Sequence, residues 1–326
     1  MEYNPFARDV QTNPYPTYRW MRDEAPVYHN ADLEANVRAI AAGVLDDARE
    51  RGELDVVPEF SAHLPMMVIA EMLGVPMELR PELHRLSDRM LDRTDCDERG
   101  NVSDEANEAR GEIVGVLAGV IDDKVRNPGD DIASMLLHTT MTDAEGREHR
   151  LTQQQVVTRV LELVAAGHET TAKLVANGVV ALAWYPDQRR DLVADPSLIP
   201  NAVEEMLRWD PPSHYQGRWV ERDVTLHGVT IPAESRVILI TGAANHDERE
   251  FAEPELFDIH REIERHVGFG FGIHLCVGAA LARLETRIAF EELLARYPEY
   301  ELMQPMKRAY SSNVRGLSNL PIALVA

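Results

Sequence analysis

The sequence has little cysteine, no long apolar run and too few basic residues to balance its acids, and each shortage closes off a class of protein. Two cysteines, Cys96 and Cys276, stand among 326 residues. That is too few for a disulfide framework, fits a reducing compartment and leaves a thiol free for chemistry. No run of 18 apolar residues occurs, so no segment reads as a membrane-crossing helix. Lys and Arg number 33 against 55 Asp and Glu, a net charge of −22, which speaks against a basic surface for nucleic acid. The opening residues Met1-Glu2-Tyr3-Asn4-Pro5 lack the basic and apolar blocks of a secretory leader. The expectation is a cytoplasmic protein without nucleic-acid or membrane partners. Neither an internal repeat nor a low-complexity tract is present.

What the chain has in quantity is helical periodicity. Apolar spacing, with its stop signals, predicts helices over 31–52, 64–73, 77–94, 104–126, 132–137, 152–184, 187–195 and 199–209. Helix follows helix there with no strand between. A short helix over 14–25 and an extended piece, Ala25-Pro26-Val27-Tyr28, precede them, and Asp95 to Val102 reads as a charged surface connection carrying Cys96. Beyond Pro211-Pro212, residues 224–226, 229–231 and 237–240 read as short strands turning through Gly228 and Pro232. From Tyr300 onward the chain reads as small strands and loops. The fold class is mainly α with a minor β-sheet (α+β), with residues 1–326 as a single domain.

Chemistry concentrates in two stretches. In the first, Phe269-Gly270-Phe271-Gly272-Ile273-His274-Leu275-Cys276-Val277-Gly278 runs into a helical pattern carried by Leu281, Leu284, Ile288 and Leu294. Cys276 therefore belongs at a helix N-terminal end, where unpaired N–H groups and the positive dipole end favour a thiolate. The glycines let backbone turn tightly and approach a flat ligand. From these residues alone, a glycine-rich turn capping a helix beside an inert buried cysteine is the plainer alternative.

The second stretch, Ala165-Ala166-Gly167-His168-Glu169-Thr170-Thr171, lies in the middle of the longest helix. Its glycine, acid and two threonines lower helix propensity together and predict a local distortion, with Ala166 and Gly167 leaving a groove on one face. His168-Glu169 could open a His-Glu-x-x-His zinc motif, but the fifth position is Ala172. His84 reads as an ordinary surface or core histidine. The glycines near Phe269 do not meet the dinucleotide fingerprint, and no phosphate-binding lysine loop is present. Elsewhere, Glu205 and Arg208 sit three apart on one helical face, a pairing worth tenths of a kcal/mol in the open.

Taken whole, the Phe269–Gly278 string resembles the haem-binding signature of the cytochrome P-450 haem-thiolate monooxygenases, and Ala166-Gly167-His168-Glu169-Thr170-Thr171 is similar to that family's oxygen-activation segment. The resemblance implies the P-450 fold, haem b (iron protoporphyrin IX) as cofactor, and Cys276 as the iron's ligand. It implies that Phe269, Gly270 and Gly278 shape the cofactor seat and that Ala166 and Gly167 line its other side. Glu169 and Thr170 become the acid–alcohol pair that relays protons toward dioxygen, the task a water-linked carboxylate and hydroxyl can perform. Arg218 and His274 become partners of the haem propionates. Glu205, Arg208 and Arg261 match a structural Glu-x-x-Arg plus arginine set behind the cysteine.

The implied activity is insertion of one oxygen atom from O2 into an apolar small molecule, with electrons from a ferredoxin or flavoprotein. In the family, the piece matching Ala25 to Asn30 is followed by several dozen residues of strands, a substrate-covering loop and a helix with a basic propionate contact. Here Asn30 is followed at once by Ala31-Asp32-Leu33, so the fold is incomplete in its N-terminal third. A true deletion and an error in reading the gene give the same sequence. The alternative function is a haem-binding or unstable truncated remnant without turnover.

Overall fold

The computed structural model describes residues 31–91, 102–142, 146–309 and 314–325. The expected helix over 14–25, the extended piece after it and Cys96 lie outside those residues. Packing divides the described chain into two compact units, one holding 31–43 and 63–168, the other 44–62 and 169–325.

Helix α1, Ala31–Arg49, carries Asp32 and Glu34 in its first turn and Arg49 in its last, the charge order that complements a helix dipole. Strand β1, Glu53–Asp55, and a π-helical turn, Val56–Ser61, intervene before α2, His63–Met72. This corrects the expectation of helix following helix there. A three-residue strand has no periodicity to detect, and its partner lies at the far end of the chain.

A 3-10 turn at Met77–Leu79 precedes α3, Arg80–Leu91, so the helix expected from residue 77 begins three residues later. Helix α4, Asp104–Arg126, is capped by Ser103, whose hydroxyl accepts from the Ala106 N–H at 3.2 Å. Helix α5, Ile132–His138, is capped by the Asp131 carboxylate, which accepts from the Ser134 N–H at 2.8 Å. Short strands β2, Met141–Thr142, and β3, Glu148–His149, pair with each other.

Helix α6, Gln153–Trp184, is 32 residues long, about 48 Å at the usual rise. A reciprocal cap starts it: Thr152 N–H donates to Gln155 Oε1 at 2.9 Å, and Gln155 N–H to Thr152 Oγ1 at 3.3 Å. The first unit's core gathers Leu83 and Leu86 of α3, Ile113 and Leu117 of α4, and Val156, Val160 and Val164 of α6. Each such side chain contributes about 1.5–3 kcal/mol on burial.

The second unit continues with α7, Pro186–Ala194, and α8, Ile199–Trp209, followed by the strands β4, Gln216–Trp219, β5, Val224–Leu226, β6, Val229–Ile231, and β7, Arg236–Leu239. β5 and β6 form a hairpin over His227 and Gly228, both at positive φ (50° and 79°), the geometry a two-residue hairpin turn demands. β4 pairs antiparallel with β7, placing Arg218 opposite Val237. Short helix α9, Thr241–Ala244, leads toward the cysteine loop, and α10, Ala279–Arg296, follows it.

Strands β8, Glu299–Leu302, β9, Lys307–Arg308, β10, Leu317–Asn319, and β11, Pro321–Val325, close the chain. β11 lies between β1 and β8, with Ile322 opposite both Leu54 and Leu302. α6 passes close beneath α8 and α10 at Gly178, where a Cβ would come within 2.6 Å of Met206 Sδ and Phe290 Cζ.

Candidate functional site

The cysteine loop is held in shape by its own backbone. Gly270 and Gly272 sit at φ 76° and 66°, a region that admits glycine without strain. A 3-10 turn spans Gly272–His274. Cys276 N–H donates back to the Phe269 carbonyl at 2.9 Å, and Gly270 N–H to that of Val267 at 2.9 Å. The thiol of Cys276 is free and exposed, three residues before the first residue of α10. The inert buried cysteine of the plainer sequence reading is thereby excluded. A Cβ at Gly268 would stand 2.7 Å from the Leu207 carbonyl oxygen, so only glycine lets the loop pass the end of α8 so closely.

Around the thiol lies an apolar rim: Phe271, Ile273, Leu275 and Val277 are all exposed, Ile273 by 98% and Val277 by 92%. Four exposed large apolar side chains so close along the chain to a free thiol are of the sort that mark a ligand seat.

Behind the loop stand two charge networks. In one, Glu205 and Arg208 are both fully buried, with Arg208 Nε 2.6 Å from Glu205 Oε2 and Nη2 2.7 Å from Oε1. The remaining Arg208 donors reach the carbonyls of Asn245, Pro254 and Leu256. Arg261 closes the set 3.3 Å from Glu205 Oε2 and binds the carbonyls of Ala252, Glu253 and Leu256. The structure thus brings together the three residues that sequence spacing only hinted at, and burial makes the loss of any one partner costly.

The other network was not foreseen. Arg283 of α10 lies 4.7 Å over the Phe269 ring and donates to both oxygens of Glu204, at 2.6 and 2.9 Å, while His266 meets Glu204 at 3.0 Å. Burial pushes the Glu204 carboxyl up, but hydrogen bonds from His266 and Arg283 outweigh it and bring it down to about 2. Arg283 is raised above its ordinary value chiefly by its hydrogen bonds to Glu204. It is the fifth residue of α10, and nothing in its spacing from Cys276 marks it in the sequence.

Helix α6 runs without interruption through Ala166–Thr171, contrary to the expected distortion. Against the larger effect of burial, Thr171 lowers the Glu285 carboxyl of α10, and a Cβ added at Gly167 would meet Ile69 Cγ1 at 3.4 Å. Glu169 and Thr170 are half-buried on consecutive positions, and Ala166 is exposed. Glu285, also unforeseen, is almost wholly buried, and desolvation pushes its carboxyl up to about 8.

Arg218 lies within β4, not ahead of the first strand as the sequence suggested. Its guanidinium donates to the adjoining Gly217 carbonyl, and no carboxylate among the described residues pairs with it. His274 is exposed on the 3-10 turn. A separate cavity of about 470 Å³, lined by Trp184, Trp209, Asp210, His214, Arg308 and Arg315 among others, shares no residue with the cysteine loop.

The sequence pattern of the family described as Cytochrome P450 matches residues 99–312. This chain belongs to the cytochrome P450 family. It is 40% identical over 297 residues to the vitamin D(3) 25-hydroxylase of Pseudonocardia autotrophica, covering 90% of this chain and 71% of that one. It is 33% identical to the putative cytochrome P450 123 of Mycobacterium tuberculosis over an alignment of 396 positions that takes in 99% of this chain and 97% of the relative. Because the chain has only 326 residues, at least 70 of those positions have no counterpart here.

Among solved structures, CYP109E1 from Bacillus megaterium in complex with testosterone is similar with a TM-score of 0.81 and 32% identity, over 98% of this chain and 83% of that one. The mostly helical P450 architecture and the monooxygenase class follow, and with them haem b as the cofactor of the class. The residues present fit that group: the exposed thiol of Cys276 would offer it a sulfur ligand, the apolar rim would suit a flat macrocycle, and Gly270 and Gly272 carry no side chains to obstruct it. No helix among the described residues is long and apolar enough to cross a membrane.

Proposed function

We propose that this P450 acts as one haem-thiolate domain inserting a single oxygen atom from O2 into an apolar small molecule, with electrons from a ferredoxin or flavoprotein. The observation that carries this reading is the exposed, unbridged Cys276 within its apolar rim. When bound, haem supplies the activation of dioxygen. Cys276 contributes an electron-rich sulfur on one side, its backbone N–H donating to the Phe269 carbonyl and Arg283 lying over the Phe269 ring. Phe269, Gly270 and Gly278 shape the seat.

On the other side, Glu169 and Thr170 pass protons inward from solvent, and their half-burial suits groups that must meet both water and ligand. Ala166 and Gly167 keep that helix face narrow. Arg218, with no carboxylate partner among the described residues, and the exposed His274 offer donors to two propionates. Glu205, Arg208 and Arg261 hold the segment that delivers the chain to the loop. One relative is named for vitamin D(3) hydroxylation and one similar structure holds testosterone, so these two compounds are the first substrates to assay.

A second reading, haem binding without turnover, is favoured by the 70 or more family positions that this chain lacks. A carbon monoxide spectrum of the reduced protein, followed by product analysis with a surrogate ferredoxin system, separates the two. Turnover requires both a long-wavelength Soret band and oxygenated product. The band alone leaves the second reading standing, and no haem uptake overturns the first and leaves an unstable remnant.

A further inference from the structure

His168 precedes the Glu169–Thr170 pair and is 98% buried, yet nothing in the oxygen chemistry employs it. Its surroundings hold two more potential ligands. His84 and Asp88 stand four residues apart on α3, hence on one helical face, and that face meets His168 of α6 within the same compact unit. Asp88 Oδ2 lies 3.5 Å from His84 Nε2 and Asp88 Oδ1 lies 3.8 Å from His168 Nε2. One ligand atom from each of the three residues falls within 4.8 Å of the others.

A zinc-class cation bonds imidazole nitrogen at about 2.0–2.1 Å and carboxylate oxygen at about 2.0–2.2 Å, so in a tetrahedral site its ligand atoms stand about 3.3–3.6 Å apart. The Asp88 separations, 3.5 and 3.8 Å through its two oxygens, lie at or within a few tenths of an ångström of that spacing. The two imidazoles, edge to face with centroids 5.2 Å apart and ligand atoms within 4.8 Å, draw together by about 1 Å, a movement of side chains alone. The His84 Nε2 atom is shielded from water and makes no hydrogen bond to any described residue. Asp88 remains 59% exposed, so a cation has a path in and water can complete its coordination. His63 adds a third imidazole nearby, its ring centroid 6.3 Å from that of His84.

We propose that His84, Asp88 and His168 form a site for a divalent transition cation of the zinc class, fastening α3 to α6 at the residue just before Glu169. Two imidazoles and one carboxylate are a donor set suited to zinc and its neighbours and ill suited to calcium or magnesium, which take oxygen. The second ligand that Ala172 denies to His168 along its own helix comes from α3 instead. Cation binding there can be read without turnover.

Isothermal titration of the haem-loaded, tag-free protein with zinc chloride tests it. One saturable site per chain is expected, weakened by about tenfold or more in both Asp88→Asn and His84→Gln and retained in His149→Gln, a change on exposed β3. Asp88 is exposed enough that its substitution leaves folding intact, which keeps the test valid if His84→Gln does not fold. Absence of a saturable site, or unchanged affinity in Asp88→Asn, overturns the proposal. Calcium binding with equal affinity overturns the assignment of cation class.

Discussion

Arg208 and Glu205 face each other fork to fork at 2.6 and 2.7 Å, neither exposing any surface to water. A pair removed from solvent to this degree earns its place through geometry, because desolving both ions costs about what their attraction returns. What it secures is position: one guanidinium collects three carbonyls from the segment 245–256 and ties them to α8. Arg208→Ala leaves Glu205 as a buried charge without its main partner, and the expected cost is about 3–5 kcal/mol. Arg208→Lys fails similarly, since an ammonium cannot reproduce the fork. Urea unfolding, with haem content as a second readout, measures both; retention of wild-type stability by either variant would contradict the bracing role.

Cys276→Ala is expected to abolish the long-wavelength Soret band of the reduced carbon monoxide complex. Because the thiol is exposed, its removal opens no cavity, and far-ultraviolet circular dichroism should be unchanged. The band's survival would show that the sulfur is not the axial ligand.

Thr170→Ala is expected to divert electrons from product to peroxide, lowering product per electron consumed by about tenfold or more, within the range that general acid catalysis supplies. Haem content and substrate affinity stay constant. Unchanged coupling would remove Thr170 from the relay and leave Glu169 to be tested alone.

Glu285 titrates near pH 8 in the folded protein against an ordinary 4.5. A carboxyl raised on folding binds its proton more tightly in the native state, so its contribution to stability is intact below pH 4.5 and is lost as pH climbs toward 8. The loss saturates above pH 8 at a magnitude on the order of 4 kcal/mol. Glu285→Gln keeps a neutral group there. Stability of wild type and variant, followed from pH 5 to 9, should diverge in favour of the variant; parallel curves would place Glu285 in a wetter setting.

Gly178→Ala tests the packing of α6. The added methyl gains about 1 kcal/mol of helix propensity but meets Phe290, which is fully buried, at 2.6 Å. Overpacking of that kind costs about 1–3 kcal/mol, so a net loss is expected in thermal unfolding. A gain in stability would mean that Phe290 and Met206 have room to move aside.

Much of this was legible in the residues. Helix α4 appears at its predicted limits, Asp104 and Arg126, because a serine cap and a terminal Asn-Pro-Gly mark its ends. The Thr152–Gln155 box starts α6 as read. β1 was invisible: its partner β11 lies more than 260 residues away, and no local pattern encodes so distant a pairing. Glu205 and Arg208 carried little meaning at i, i+3 spacing until burial was known. Glu285 had no signal, since one acid in a mixed helix reads as solvated. Its burial depends on α6 lying alongside.

The rim around Cys276 has a consequence for how the protein is made. A nascent chain released before it acquires cofactor presents Ile273 and Val277 to every neighbouring chain, each an adhesive spot. Yield then becomes a race between haem supply and self-association. Slowing synthesis, or feeding cells the haem precursor δ-aminolevulinate, should raise the soluble fraction more than lowering temperature alone.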